Sequence, residues 1–460
     1  MSDVTNPCRM SVAALKIAFE KRELSPVEVA KIFLDRIVEL DQGLHAYVEV
    51  TRELALAQAA ASEKKYAAGG DVGLLEGVPV SVKDAFHVAG VPSRVGSLVY
   101  ANYVAKNDSG VVRRLRASGA VFPGKTNVPE FCQSATTDNR LGPETTNPWN
   151  MAHTPGGSSG GAAASVAAGL ATLAVGSDGG GSIRIPGAFT GLYGIKPTVG
   201  LCADEKGFRG MTGFVCPGPL ANRVMDARIM LDVLAPGAKY RKRSATGRLR
   251  VAYCARPERR PVDAQVSREV EKAARALESM GHGVTPIDIE LSGWAKIFGP
   301  LVLEDEYRER GHLLDLCPDK LSRYEVTSLE AARVLTAETV LQAELEHVAY
   351  KKKINEIFNR YDLLVTPTTA VPAFRLGERP QVIAGESVSW LWGAFPFTVP
   401  FNVAGVPAAT LPCGLADGLP VGVQLVTRGG AEQLLLDVSE DLEDALAFDR
   451  SALDQRWKLI

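Results

Sequence analysis

Residues 154–200, TPGGSSGGAAASVAAGLATLAVGSDGGGSIRIPGAFTGLYGIKPTVG, constrain the chain more than any other stretch. Two clusters rich in glycine and serine flank a short alanine-rich run. Glycine reaches positive φ cheaply and lets other groups approach the main chain, so these clusters predict tight turns with exposed N–H groups. N–H groups aimed at one point make an anion or oxyanion site. Ser158 and Ser159 lie in the first cluster and Ser182 in the second. Hydroxyl nucleophiles therefore sit beside oxyanion donors, and the stretch is read as the candidate active site.

With 46% apolar residues over 460 positions, the chain can bury one large core or two to three ordinary ones. A net charge of −2 gives no reason to expect a polyanionic partner. The seven cysteines are scattered and never form a CxxC pair, which argues against a disulfide framework or a zinc site and for reduced thiols. The N-terminus carries Asp3 and no charged-then-apolar leader pattern, so a cytoplasmic protein is expected. Two uncharged runs, 154–177 and 387–416, are long enough to span a membrane. The first is mostly Gly, Ala and Ser; the second is broken by Pro396, Pro400, Pro407 and Pro412. No spanning segment is expected.

Ser11 opens an amphipathic pattern, and Ser25-Pro26-Val27-Glu28 is a capping box ahead of apolar Val29, Ile32, Phe33 and Ile37. These predict two helices, with a third over 51–67 ending at Gly69-Gly70. GVPVSV at 77–82 is a short β-type run that delivers Lys83 at its end. A helix is expected over 111–118 and another over 162–170, followed by a strand over 171–175. Further strands are expected over 249–254, 284–289, 361–366 and 421–426, with a helix over 266–280, helical patterns to about residue 360 and a closing helix from Ala431. Residues 239–250 (KYRKRSATGRLR) read as a basic, solvated linker. The alternation predicts an α/β fold.

Two motifs are traps. GAVFPGKT at 119–126 fits the nucleotide-binding P-loop by letter, but its first glycine follows a helix and Pro123 removes an N–H that a phosphate cradle needs. GGSSG at 156–160 fits the GxSxG nucleophile elbow, but the preceding 147–155 reads as a loop where a strand should be. The six histidines fall in no recognisable motif. A serine nucleophile then needs another base, and a lysine desolvated enough to be neutral near pH 7 meets the requirement. Lys83 is the candidate.

At this point several segments together resemble the amidase signature family: GVPVSVKD, GKTN with VPEF, NPW, GGSSGG through GSDGGGSIRIP, GLYGIKPT, VCPGPLANRVMDA, and later FTVPFNVAGVPAATLPCG with GLPVGVQLV. The resemblance implies one large α/β domain over 1–460, a mixed β-sheet core surrounded by α-helices. Within it, N-terminal helices would occupy 1–70, the signature core about 71–235 and a C-terminal α/β completion about 236–460. It also implies a Ser-cisSer-Lys triad, with Lys83 as base, Ser158, preceded by a cis peptide, as bridge, and Ser182 as nucleophile. Ser159 matches an accessory hydroxyl, and the N–H groups of Gly179, Gly180, Gly181 and Ser182 match the oxyanion loop. Asp178 and Arg184 flank that loop and are read as a supporting ion pair. Ser177 stands where the family often has threonine. Cys132, Trp390, Trp392, Phe395 and Phe397 are the candidates for the acyl pocket.

The resulting expectation is a serine amidohydrolase that cleaves a small-molecule carboxamide to carboxylate plus ammonia or amine through an acyl-enzyme, with neither cofactor nor metal. The small amide is its expected partner, without nucleic acid or membrane, and a homodimer is left open. The alternative within the family is the glutaminase (A) subunit of an aminoacyl-tRNA amidotransferase. Phe401 precedes Asn402 where that subunit usually has alanine, which favours the free-standing form. A P-loop nucleotide-binding protein is the remote alternative.

Overall fold

The computed structural model describes residues 6–202, 207, 210–243 and 247–459; Asp3 of the N-terminal reading and residues 244–246 of the basic linker lie outside them. Local capping starts the first helices where the sequence places them. Ser11 Oγ accepts a hydrogen bond from Ala14 N ahead of α1 (Val12–Glu20), and Ser25 and Glu28 close the capping box of α2 (Pro26–Leu44). After β1 (Tyr47–Val50), α3 (Arg52–Ala68) stops on Gly69 in the left-handed conformation. The chain continues through β2 (Val80–Lys83), α4 (Gly110–Ala117), β3 (Gly124–Thr126), α5 (Gly160–Ala167), β4 (Leu173–Asp178), α6 (Arg184–Thr190), β5 (Tyr193–Lys196), β6 (Cys216–Ala221) and α7 (Val224–Leu234). Its second half holds β7 (Arg250–Tyr253), α8 (Ala264–Ser279), β8 (Gly283–Pro286), α9 (Trp294–Arg310), α10 (Leu313–Leu316), α11 (Arg323–Arg333) and α12 (Ala337–Arg360). Then come β9 (Leu363–Pro367), a small hairpin of β10 (Val382–Ile383) and β11 (Glu386–Ser387), α13 (Val399–Val403), β12 (Ala408–Ala416), β13 (Leu419–Val426), α14 (Glu432–Leu446) and α15 (Ser451–Arg456).

Eleven strands among the described residues form one mixed sheet in the order β1-β3-β2-β4-β6-β5-β12-β13-β9-β7-β8. The elements make a single α/β domain of sheet and surrounding helices. β3, β2 and β4 run parallel to one another, as do β9, β7 and β8, while the strands between the two groups pair antiparallel. Parallel neighbours need crossover connections, so the loops at their carboxyl ends collect on one edge. α5 is buried along its whole length, its small side chains allowing close approach to the sheet.

Three differences from the sequence reading have physical causes. β4 runs on to Asp178 instead of stopping at Val175, because Gly176, Ser177 and Asp178 pair with Gly218, Pro217 and Cys216 of β6. β6 itself was not expected: its CPGPLA sequence carries prolines, which ordinarily mark an edge or a break, yet it lies inside the sheet. β12 was also missed, since Pro412 interrupts its pattern and the register shifts between Pro412 and Gly414. The P-loop reading has no support in this geometry. Gly124-Lys125-Thr126 is a strand, and Lys125 Nζ is buried 2.7 Å from Asp84 Oδ1. No helix among the described residues is long and apolar enough to cross a membrane.

Candidate active site

The parallel register of β2 and β4 sets Val82 beside Val175, so the two strands bring Lys83 and Ser177 to the same carboxyl edge. Lys83 is fully buried, and its Nζ lies 2.9 Å from Ser177 Oγ and 3.3 Å from Ser177 O. The loop before α5 brings in the third group: Ser158 Oγ is 2.7 Å from Lys83 Nζ. The Gly157–Ser158 peptide is cis. A Cβ on Gly157 would fall 2.2 Å from Thr136 O, so only glycine fits where the loop turns towards the lysine. Ser158, Ser177, Gly179, Ser182 and Cys132 line one cavity of about 360 Å³. Ser182 and Cys132 also line a second, of about 350 Å³, with Gly180 and Trp392.

The glycine turn before Ser182 is held from two sides. Asp178, at the end of β4, accepts from the N–H groups of Gly181, Ile183 and Arg184 and from the Arg184 guanidinium, whose Nε and Nη2 lie 2.9 Å from the carboxylate. Both side chains are fully buried. From the far side, Asn402 Nδ2 donates to Asp178, Thr398 Oγ1 donates to Gly180 O, and Arg184 Nη1 donates to Thr398 O and Gln424 Oε1. Gly181 has φ +132°, and a side chain there would also strike Thr398, so this position requires glycine. Burial alone would raise the Asp178 carboxyl, but the Arg184 guanidinium overrides it and holds the group well below the usual carboxylate range.

This network corrects part of the sequence reading. The Gly181 N–H is aimed at Asp178 and is not a candidate oxyanion donor, which leaves Gly179, Gly180 and Ser182. Ser159 is fully buried, and its hydroxyl exchanges hydrogen bonds with the Ser177 main chain, so it ties α5 to β4 instead of facing the cavities. Phe395 and Phe397 are core residues, whereas Trp392 reaches the second cavity and Trp390 a third, about 350 Å³, beside Glu130 and Arg379. Sequence reasoning named Ser177 and Asn402 without giving either a role at the site, and passed over Thr398 and Gln424. The signal for Ser177 was its place two residues after the end assigned to the strand; the other three come from α13, its N-cap and β13, more than two hundred residues away.

Burial depresses the Lys83 ammonium below its ordinary value; the nearby Cys132 thiol and Asp178 carboxylate oppose the shift without cancelling it. A desolvated, neutral amine in contact with a serine hydroxyl can accept its proton. If Lys83 is the base, kcat/KM falls as pH drops through its depressed pKa, because protonation removes the accepting lone pair. A pH–rate profile from 5 to 10 should therefore show a rising limb that disappears in Lys83→Ala; a flat parent profile would exclude the lysine.

With the geometry established, comparison with known proteins places the chain. The Amidase family model matches residues 28–436. A relative from Carboxydothermus hydrogenoformans, named as the A-type subunit of glutamyl-tRNA(Gln) amidotransferase, is 33% identical, covering 96% of this chain and 98% of its own length. Among solved structures, a bacterial aryl acylamidase superposes with TM-score 0.86 at 28% identity over 98% of both chains. A 6-aminohexanoate cyclic dimer hydrolase does so with TM-score 0.87 at 28% identity, over 98% of this chain and all of its own. The curated relatives overturn the expectation of a free-standing enzyme for a small carboxamide with no nucleic-acid-linked partner, because they are named as subunits of a tRNA amidotransferase. Phe401, which had favoured that expectation, is fully buried in the cluster with Phe298 and Val426. Fold, motif order and full-length similarity agree that the chain belongs to the amidase signature family and is a hydrolase-type enzyme acting on amide C–N bonds.

Proposed function

We propose that this chain is the amide-hydrolysing subunit of an aminoacyl-tRNA amidotransferase, releasing ammonia from glutamine in the cytoplasm. The observation that carries the reading is the 33% identity, over 96% of the chain, to a protein named as that subunit. The chemistry draws on the contact of buried Lys83 with Ser158 beside the cavity that Ser182 shares. An amidotransferase must take its nitrogen from an amide, and a subunit with an amidase fold suits that step.

In this mechanism neutral Lys83 takes a proton from Ser158 as Ser158 takes one from Ser182, and Ser182 Oγ bonds to the amide carbon. The carbonyl oxygen becomes an oxyanion facing the N–H groups of Gly179, Gly180 and Ser182. On collapse the C–N bond breaks, the proton returns through Ser158 to the nitrogen, and ammonia leaves. Water, deprotonated along the same route, then cleaves the acyl-Ser182 ester and releases glutamate.

Ammonia release from glutamine should be at least about tenfold faster when the chain is purified with its co-expressed partner subunits than when it is purified alone. Assembly of this kind completes a site in the way ligand-induced closure does. A complex that leaves glutamine intact would overturn the reading.

A further inference from the structure

α12 packs one face against α9 and α13, with Ala343, Tyr350, Ile354 and Phe358 buried beneath it. On the opposite face Leu341, Leu345 and Val348 are 57%, 61% and 71% exposed. Glu338 and Lys352, also exposed, extend this row at both ends, so its five members are spaced 3, 4, 3 and 4 residues apart. That is the spacing with which one helix packs along another, and here it points into solvent. Leu341 and Glu344 also form one side of a groove of about 420 Å³ with Tyr307 of α9 and Leu335. α12 lends no residue to either cavity at Ser182, so the row plays no part in holding an amide. Charge on the helix is divided between its halves: Glu338, Glu344 and Glu346 come first, Lys351, Lys352 and Lys353 after. Glu344 and Lys351 are exposed and, two turns apart, flank the apolar row on the same side. Neither is ion-paired among the described residues.

We propose that this face of α12 is a self-association surface, on which a second copy of the chain lays its own α12 antiparallel about a two-fold axis. The charge division selects both the occupant and its direction. A parallel copy would set the acidic halves together and the basic halves together, whereas an antiparallel copy sets each against its opposite. In the register that seats Leu345 against Val348 of the second copy, Leu341 meets the aliphatic stem of its Lys352 and Glu344 comes beside its Lys351. Each contact is made twice, because a two-fold interface is self-complementary. One helix pair and its flanks lie at the small end of specific interfaces, so the dimer should be a weak one that dissociates on dilution.

Sedimentation velocity of the full chain from about 1 to 100 μM provides the test. The parent should pass from monomer to dimer across that range, and Leu345→Lys should stay monomeric with the parent's melting temperature. Glu344→Lys and Lys351→Glu should each weaken the dimer by at least about tenfold, since each swap replaces two attractions with two like-charge contacts. The variant carrying both swaps restores the pairs in reversed sense and should return close to the parent affinity. A parent monomeric up to about 100 μM, or a dimer indifferent to Leu345→Lys, overturns the proposal. So does a double swap no better than the single ones, because the antiparallel register requires the rescue. If Leu345→Lys instead releases co-expressed partner subunits from a chain that does not self-associate, the face belongs to another protein and the second copy is excluded.

Discussion

Ser182→Ala is expected to lower turnover by a factor on the order of 10⁴ to 10⁶, the loss seen when the nucleophile of a serine hydrolase triad is removed. The fold should survive, because Ser182 is only partly buried and lines two cavities without filling a core position. A fluorophosphonate should label the parent at Ser182, as read by peptide mass spectrometry, and leave the variant unlabelled. An adduct on Ser158 or Ser177 in the variant would move the nucleophile to that residue. Lys83→Ala should cost a comparable factor at neutral pH, since its amine contacts both Ser158 and Ser177.

Arg184→Ala should destabilise the protein by ~3–5 kcal/mol, the usual cost of leaving a buried charge without its partner. Arg184 is fully buried, neutralises Asp178, and reaches Thr398 and Gln424 from elements on the other side of the site. Urea unfolding of the parent, Arg184→Ala, Asp178→Asn and the double variant measures the coupling, and the double variant should lose less than the two single losses combined. Because Asp178 titrates below its unfolded value, its contribution is present above the ordinary carboxylate range and is lost only as pH falls through the depressed folded value. A loss under about 1 kcal/mol for Arg184→Ala would show that Asn402 and the backbone N–H groups carry the load without the cation.

The parts legible in the sequence are those governed by near neighbours. The capping box at Ser25 and Glu28, the helix stop at Gly69 and the short run ending at Lys83 each depend on a few adjacent residues, and each is found where expected. The order of motifs along the chain carried the family. The parts not legible depend on distant partners. The segment with Pro217 and Pro219 was assigned no strand, and it becomes one only where β4 and β5 pair on either side of it. Gly181 read as an oxyanion donor until Asp178 claimed its N–H. Glu306, Arg310 and Glu325 were not singled out, since they fall within a stretch read only as helical and nothing local marks them as buried.

The amino-acid sequence by itself determined that this would be an α/β protein of the amidase signature family with its glycine and serine clusters at the candidate site. Those properties reside in local conformational preference and motif order. Only the tertiary structure decided which glycine N–H groups remain for a ligand, which hydroxyls meet Lys83 and which charges face the cavities. The physical reason is that each of these depends on desolvation and on hydrogen-bond partners brought together by tertiary packing of strands, helices and loops distant in sequence.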